Sequence, residues 1–151
     1  MKYNTRKCIQ FYPHDIHISD ELTADEEIMP CSLVQRTSTG CQYVQAANRQ
    51  PYMVAKPTFT PSIIYNNIGK GVLEIPYDAG EIVYAVLLLR GTRCRLRIAA
   101  GVSITKNDAL VAAANGTVAV DNSADRADIV AIARNDVAAS AEEQLVQALI
   151  L

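Results

Sequence analysis

"EIVYAVLLLRGTRCRLRIAAG", residues 81–101, carries the strongest β signal in the chain. Its first part, "IVYAVLLL" at 82–89, is a near-continuous apolar run that suits a strand buried on both faces. Its second part, "RCRLRI" at 93–98, alternates with period two. Arg93, Arg95 and Arg97 fall on one face, and Cys94, Leu96 and Ile98 on the other. Arg90-Gly91-Thr92 reads as the turn between them, so this stretch predicts two paired strands.

Working toward the C-terminus, "GVSITKNDALVAAANGTVAV" at 101–120 is punctuated by turn residues. "TKND" is a corner, and Asn107 stands where a left-handed backbone is expected, because Asn tolerates positive φ better than most residues. "ALVAAA" and "TVAV" read as strands joined by Asn115-Gly116, a strong short-range hairpin signal. A polar loop at 121–128 leads to a strand in "IVAIAR" at 129–134. The end, "SAEEQLVQALIL" at 140–151, has two readings. Ser140 with Glu143 three residues on forms a capping box, which favours a helix, whereas "LVQALIL" also suits a closing strand.

Toward the N-terminus, "MPCSLVQRTSTGCQYVQAA" at 29–47 reads as a hairpin. Its strands are about 31–37 and 41–46, and its turn, Ser38-Thr39-Gly40, ends on the permissive Gly40. "PYMVA" at 51–55 is a further short strand. The connector at 56–80 holds Pro57, Pro61 and Pro76 with Gly69, Gly71 and Gly80, and reads as a long ordered loop with one or two short strands. Residues 1–27 are polar and mixed, with five acids between Asp20 and Glu27, the pattern of a solvated surface. Eight to ten short strands separated by turns predict an all-β sandwich or small barrel over 28–151. The long ordered connector lies within it, and 1–27 precedes it as an extended N-terminal arm.

The 151 residues suffice for one core, with 50% hydrophobic and 20% charged residues. The net charge of −2 argues against general nucleic-acid binding, and no run approaches the ~18 apolar residues of a membrane span. The opening lacks the apolar stretch of a signal peptide, so a cytoplasmic site of synthesis is expected. Cys8, Cys31, Cys41 and Cys94 are irregularly spaced with no CxxC, and read as buried thiols. Cys31 and Cys41 could meet across the "TSTG" turn only in a distorted register. His14 and His17 with nearby acids suggest a metal site in outline. The extended texture of "HDIHIS" puts them on opposite faces, and no second ligand cluster follows. No nucleophile elbow, P-loop or GxGxxG occurs. The arginine face (Arg90, Arg93, Arg95, Arg97) is the most distinctive electrostatic feature. It is either a solvated strand face or a docking surface for acidic groups, including the 20–27 acids of a neighbouring subunit.

In order along the chain stand "IMPCSLVQRTSTG" (28–40), "GKGVLEIPYDAGE" (69–81), "AAGVSITKNDALV" (99–111), "NGTVAV" (115–120), "IVAIARNDVAAS" (129–140) and "LVQALIL" (145–151). In order and spacing, residues 28–151 resemble the capsid decoration (cement) proteins of tailed bacteriophages. The match departs in three places. Asn107 stands where that family has Gly, one residue is extra near Ile75-Pro76, and an arginine-rich "GTRCRLRI" replaces an aromatic-rich strand. The resemblance implies a terminal strand and a non-enzymatic β-fold with no cofactor or metal. It implies a location on the exterior of a virion, where trimers would bind the major capsid protein and bridge capsomers. Arg90, Arg93, Arg95, Arg97, Asp25, Glu26 and Glu27 are then the candidate capsid or intersubunit contacts, with no membrane or direct nucleic-acid partner. Gly40, Asn107, Asn115 and Gly116 are the structural turns. A head-fibre base or another minor head component is the alternative within the virion. A third reading rests on "GVLEIPYDAGEI" (71–82), which is similar to a motif of trimeric dUTPases. Glu74 would activate water and Tyr77 stack on the base, but that family's phosphate motifs are absent.

Overall fold

The computed structural model describes residues 9–10, 19–48, 52–57, 67–122 and 128–151. These hold eleven strands: β1 (Ile9–Gln10), β2 (Ser19–Thr23), β3 (Leu33–Arg36), β4 (Cys41–Tyr43), β5 (Met53–Ala55), β6 (Ile82–Leu87), β7 (Arg93–Ile98), β8 (Ala109–Ala112), β9 (Val118–Val120), β10 (Ile129–Ala133) and β11 (Gln144–Ile150). Among the described residues there is no α-helix, and a 3₁₀ turn stands at Ala114–Gly116. The all-β expectation therefore holds.

The strands form two sheets. One has the order β1-β7-β11-β10-β8-β9 and closes, because Ile98 at the end of β7 makes a parallel bridge with Val118 of β9. The result is a five-stranded barrel, β7 to β11, with β1 laid against the start of β7. The other sheet has the order β2-β6-β5-β3-β4. It curls until its edges meet in a parallel bridge between Ala24, just past β2, and Cys41 of β4. The Asp25 N–H donates to the Cys41 carbonyl at 2.9 Å beside that bridge.

Alternation along the strands builds the cores. Cys94, Leu96 and Ile98 of β7 and Val146, Ala148 and Ile150 of β11 join one buried cluster, which also takes Leu33, Val54 and Val86 from the curled sheet. The opposite face of that sheet holds a second cluster that includes Leu22, Val34, Cys41, Met53, Val83 and Ala85. Ile28 and Tyr77 cover it. They bridge each other by paired backbone hydrogen bonds of 2.9 and 2.8 Å, and the Tyr77 hydroxyl donates to the Lys56 carbonyl at 2.7 Å. The curled sheet is thus buried on both faces, as "IVYAVLLL" predicts for Val83, Ala85 and Val86, while Ile82 and Tyr84 stand outside.

Two expectations are corrected. Residues 82–98 do contain two strands with a turn, but the strands do not pair. β6 lies between β2 and β5, and β7 is paired with β11 along all six residues. The turn is a passage between sheets. The Leu88 N–H still donates to the carbonyl of Tyr52, next to β5 of the curled sheet, whereas the Gly91 N–H already donates to Ile150 of the barrel. Gly91 makes this corner at φ 88°. Residues 19–27, placed by the sequence reading in an N-terminal arm, instead begin the curled sheet. Leu22 and Ala24 are buried, and β2 pairs with β6 over five residues. The rest of that arm lies outside the described residues, apart from β1.

The turns follow local chemistry. Asn107 has φ 76°, and Asn115 (φ 56°) and Gly116 (φ 69°) occupy the centre of the β8–β9 hairpin turn. The terminal segment is strand β11. The Ser140–Glu143 capping signal gives no helix there: Gln144–Ile150 pairs with β7 and β10, and Glu143 forms an ion pair with Arg97.

Candidate functional site

The arginine face begins with strand alternation, but packing divides it. Arg90 and Arg93 are exposed, Arg95 is half-buried, and Arg97 is 7% exposed. The Arg97 side chain is tied down along its whole guanidinium. Nε donates to the Pro30 carbonyl at 2.8 Å, Nη2 to the Leu73 carbonyl, and Nη1 to the Glu143 carboxylate at 3.2 Å. Its own backbone N–H donates to the Cys31 carbonyl at 3.1 Å. A fork of fixed donors suits this task, because three segments present acceptors in different directions. Arg97 is a structural clasp joining the curled sheet, the connector and the barrel. It is removed from the set of candidate contact residues.

Beside it, Gly71–Glu74 of the connector, Arg95 and Arg97 of β7, and Glu143–Leu145 enclose an open groove of about 480 Å³. The Glu74 carboxylate accepts the Gly71 N–H at 2.8 Å and so shapes the connector's own turn. Tyr77 is 1% exposed and belongs to the second core. It offers no ring face to a base, and this removes the geometry on which the dUTPase-like reading depends.

The acidic run is also put to internal use. The Asp25 carboxylate accepts from the Thr37 hydroxyl at 2.5 Å and the Thr39 hydroxyl at 2.9 Å, holding the β3–β4 turn. Glu26 accepts the Tyr43 N–H at 2.8 Å. Asp20 pairs with Arg36, and Glu27 is exposed. Sequence reading missed these roles because the acids and the "TSTG" turn are more than ten residues apart. The signal available was the chemistry of the two segments, carboxylates in one and hydroxyls in the other.

Cys31, Cys41 and Cys94 are buried thiols. Burial, aided by the Asp25 and Glu26 carboxylates, pushes the Cys41 thiol up to about 11. Burial followed by proximity to Cys31 raises Cys94 further. Such thiols are poor nucleophiles at neutral pH. Among the described residues no group of three His, Cys, Asp or Glu side chains could hold a metal ion; His14 and His17 lie outside them. Among the described residues, what the arrangement offers is a two-sheet body with an arginine-edged barrel surface.

No protein-family model and no curated protein matches the chain. Among solved structures it is similar to the N base of the head fiber protein gp8.5 of bacteriophage phi29. The TM-score is 0.56 at 16% identity, over 90% of this chain and 95% of that one. At this identity the likeness establishes a shared fold over most of both chains.

Proposed function

We propose that this chain is a non-catalytic structural subunit of a bacteriophage virion, seated on the outer surface of the head and bound to the major capsid protein. The observation that carries the reading is the shared fold with a phage head-fiber base across nearly the whole of both chains. The order of motifs over 28–151 supports it independently. So does the structure's use of its polar residues: Arg97, Glu26 and Glu74 hold backbone groups in place, and Asp25 holds the hydroxyls of the β3–β4 turn.

Two seats on a head fit this body. As a cement protein it would bind only the mature shell and add its binding free energy to that shell at every site. Repetition over the lattice would turn modest contacts into a strong one. As a fiber base it would occupy few positions and carry a projecting partner, and the likeness to the phi29 base fits this second seat equally. The host bacterium's cytoplasm would be the place of synthesis in either case.

The test is co-sedimentation of the purified chain with mature heads that lack it. Saturable binding, removed by prior occupation with unlabelled protein, is the expected result. Copy number separates the two seats, with hundreds per head for cement and far fewer for a fiber base. Failure to pellet with heads at any concentration would overturn the reading.

A further inference from the structure

On a water-facing barrel surface the outward positions normally carry polar side chains. Here the register sets Arg93, Leu149, Ile132 and Ala109 side by side in one row across β7, β11, β10 and β8. Val111 lies opposite Ile129 and Ala119 further along the same face. These aliphatic side chains are only partly covered by the chain itself. Among the described residues Arg90, Ala109, Ile129, Ile132 and Leu151 line a groove of about 540 Å³ in this surface, and Arg90 is the charged one of these.

A complementary feature stands on the other sheet. The face of β6 that buries Val86 in the main core runs out into solvent at Tyr84 and Ile82, which are 41% and 52% exposed. Their cross-strand neighbours on β2 are Glu21 and Thr23, and Glu21 is exposed. The result is an apolar ridge flanked by a carboxylate.

We propose that groove and ridge are the two halves of one contact between copies of this chain. Ile82 and Tyr84 of one copy seat in the groove of the next, and Glu21 of the first meets Arg90 of the second. The occupant is a second copy because the surface that complements the groove in both hydrophobicity and charge is present on the same molecule. Groove-to-groove pairing would oppose Arg90 with Arg90, which disfavours a symmetric contact. Where each copy gives its ridge to one neighbour and its groove to another the contact is heterologous, and a rotation that closes makes it a ring. This assembly requires no particle, so its test is separate from that of head binding.

Sedimentation velocity on the full chain over a wide concentration range supplies the test. The wild type is expected as a discrete oligomer. Glu21→Arg and Arg90→Glu, both at exposed positions, are each expected to raise the concentration of half-dissociation about tenfold or more. The double variant Glu21→Arg/Arg90→Glu is expected to reassemble, with circular dichroism confirming the fold of all three. A wild type that stays monomeric throughout would overturn the proposal. So would single reversals without effect, or a double variant no better than either single.

Discussion

The N-terminal sheet, β2 to β6, and the C-terminal barrel, β7 to β11, each close on a parallel bridge, Ala24 with Cys41 in one and Ile98 with Val118 in the other. The barrel's closure depends on turns whose backbone is set locally: Asn107, Asn115 and Gly116 all take positive φ. The sheet's closure depends on close approach. A Cβ at Gly40 would lie 1.9 Å from the Thr23 carbonyl oxygen, with Gly40 at an ordinary φ. One half therefore curves by choosing dihedral angles, and the other by omitting a side chain where two edges meet.

The largest expected effect breaks the sheet's closure. Gly40→Ala must displace backbone rather than a side-chain tip, and is expected to cost about 4 kcal/mol or more. Gly116→Ala sharpens the contrast, since its Cβ would meet the Leu33 carbonyl and the Tyr43 ring, both at 2.6 Å, at a φ of 69°. The barrel's hairpin is thus pressed against the sheet, and this variant is expected to rank beside Gly40→Ala in urea unfolding. A loss under 1 kcal/mol at Gly40 would mean that the edges do not meet.

Next in size is the clasp between the two halves. Arg97→Met strips donors from the buried Pro30 carbonyl and the half-buried Leu73 carbonyl, and is expected to cost about 3 kcal/mol. Arg95→Ala, two residues along the same face, is expected to change stability by about 0.5 kcal/mol or less. Equal effects at the two positions would contradict the division of the arginine face.

The third effect is confined to alkaline pH and probes the interior of the curled sheet. The Cys41 thiol, raised to about 11 in the fold, ionises near its ordinary value of 9.0 once unfolded. Above pH 9 the unfolded state has given up this proton and the folded state still holds it. The group's contribution is full below pH 9 and is lost between pH 9 and 11, at about 1.4 kcal/mol per pH unit. Unfolding free energies at pH 8, 9 and 10 should fall less steeply for Cys41→Ala than for the wild type. Parallel slopes would place Cys41 nearer to solvent than its burial indicates.

The same contrast explains what was legible in the sequence. Asn107 and Asn115-Gly116 could be read because turn chemistry is local, and the period-two alternation of 93–98 identified β7 and its inward residues correctly. Strand partners were not legible. An apolar run, a Gly turn and an alternating run describe a hairpin as well as they describe a passage between sheets. The partner of β7 lies some fifty residues away in β11. Nor could alternation tell Arg97 from Arg93, because the segments that bury it, around Pro30 and Leu73, come from elsewhere in the chain. Gly40 was read as a turn residue, whereas its approach to Thr23 is a non-local constraint.

The proposal that this body sits on a phage head is tested most directly by cryo-electron microscopy of purified virions carrying the chain. The account predicts density on the outer surface of the head, at a fixed number of sites, into which the barrel and the curled sheet fit as one rigid unit. Complete heads whose protein inventory by mass spectrometry lacks the chain, with no such density, would contradict it.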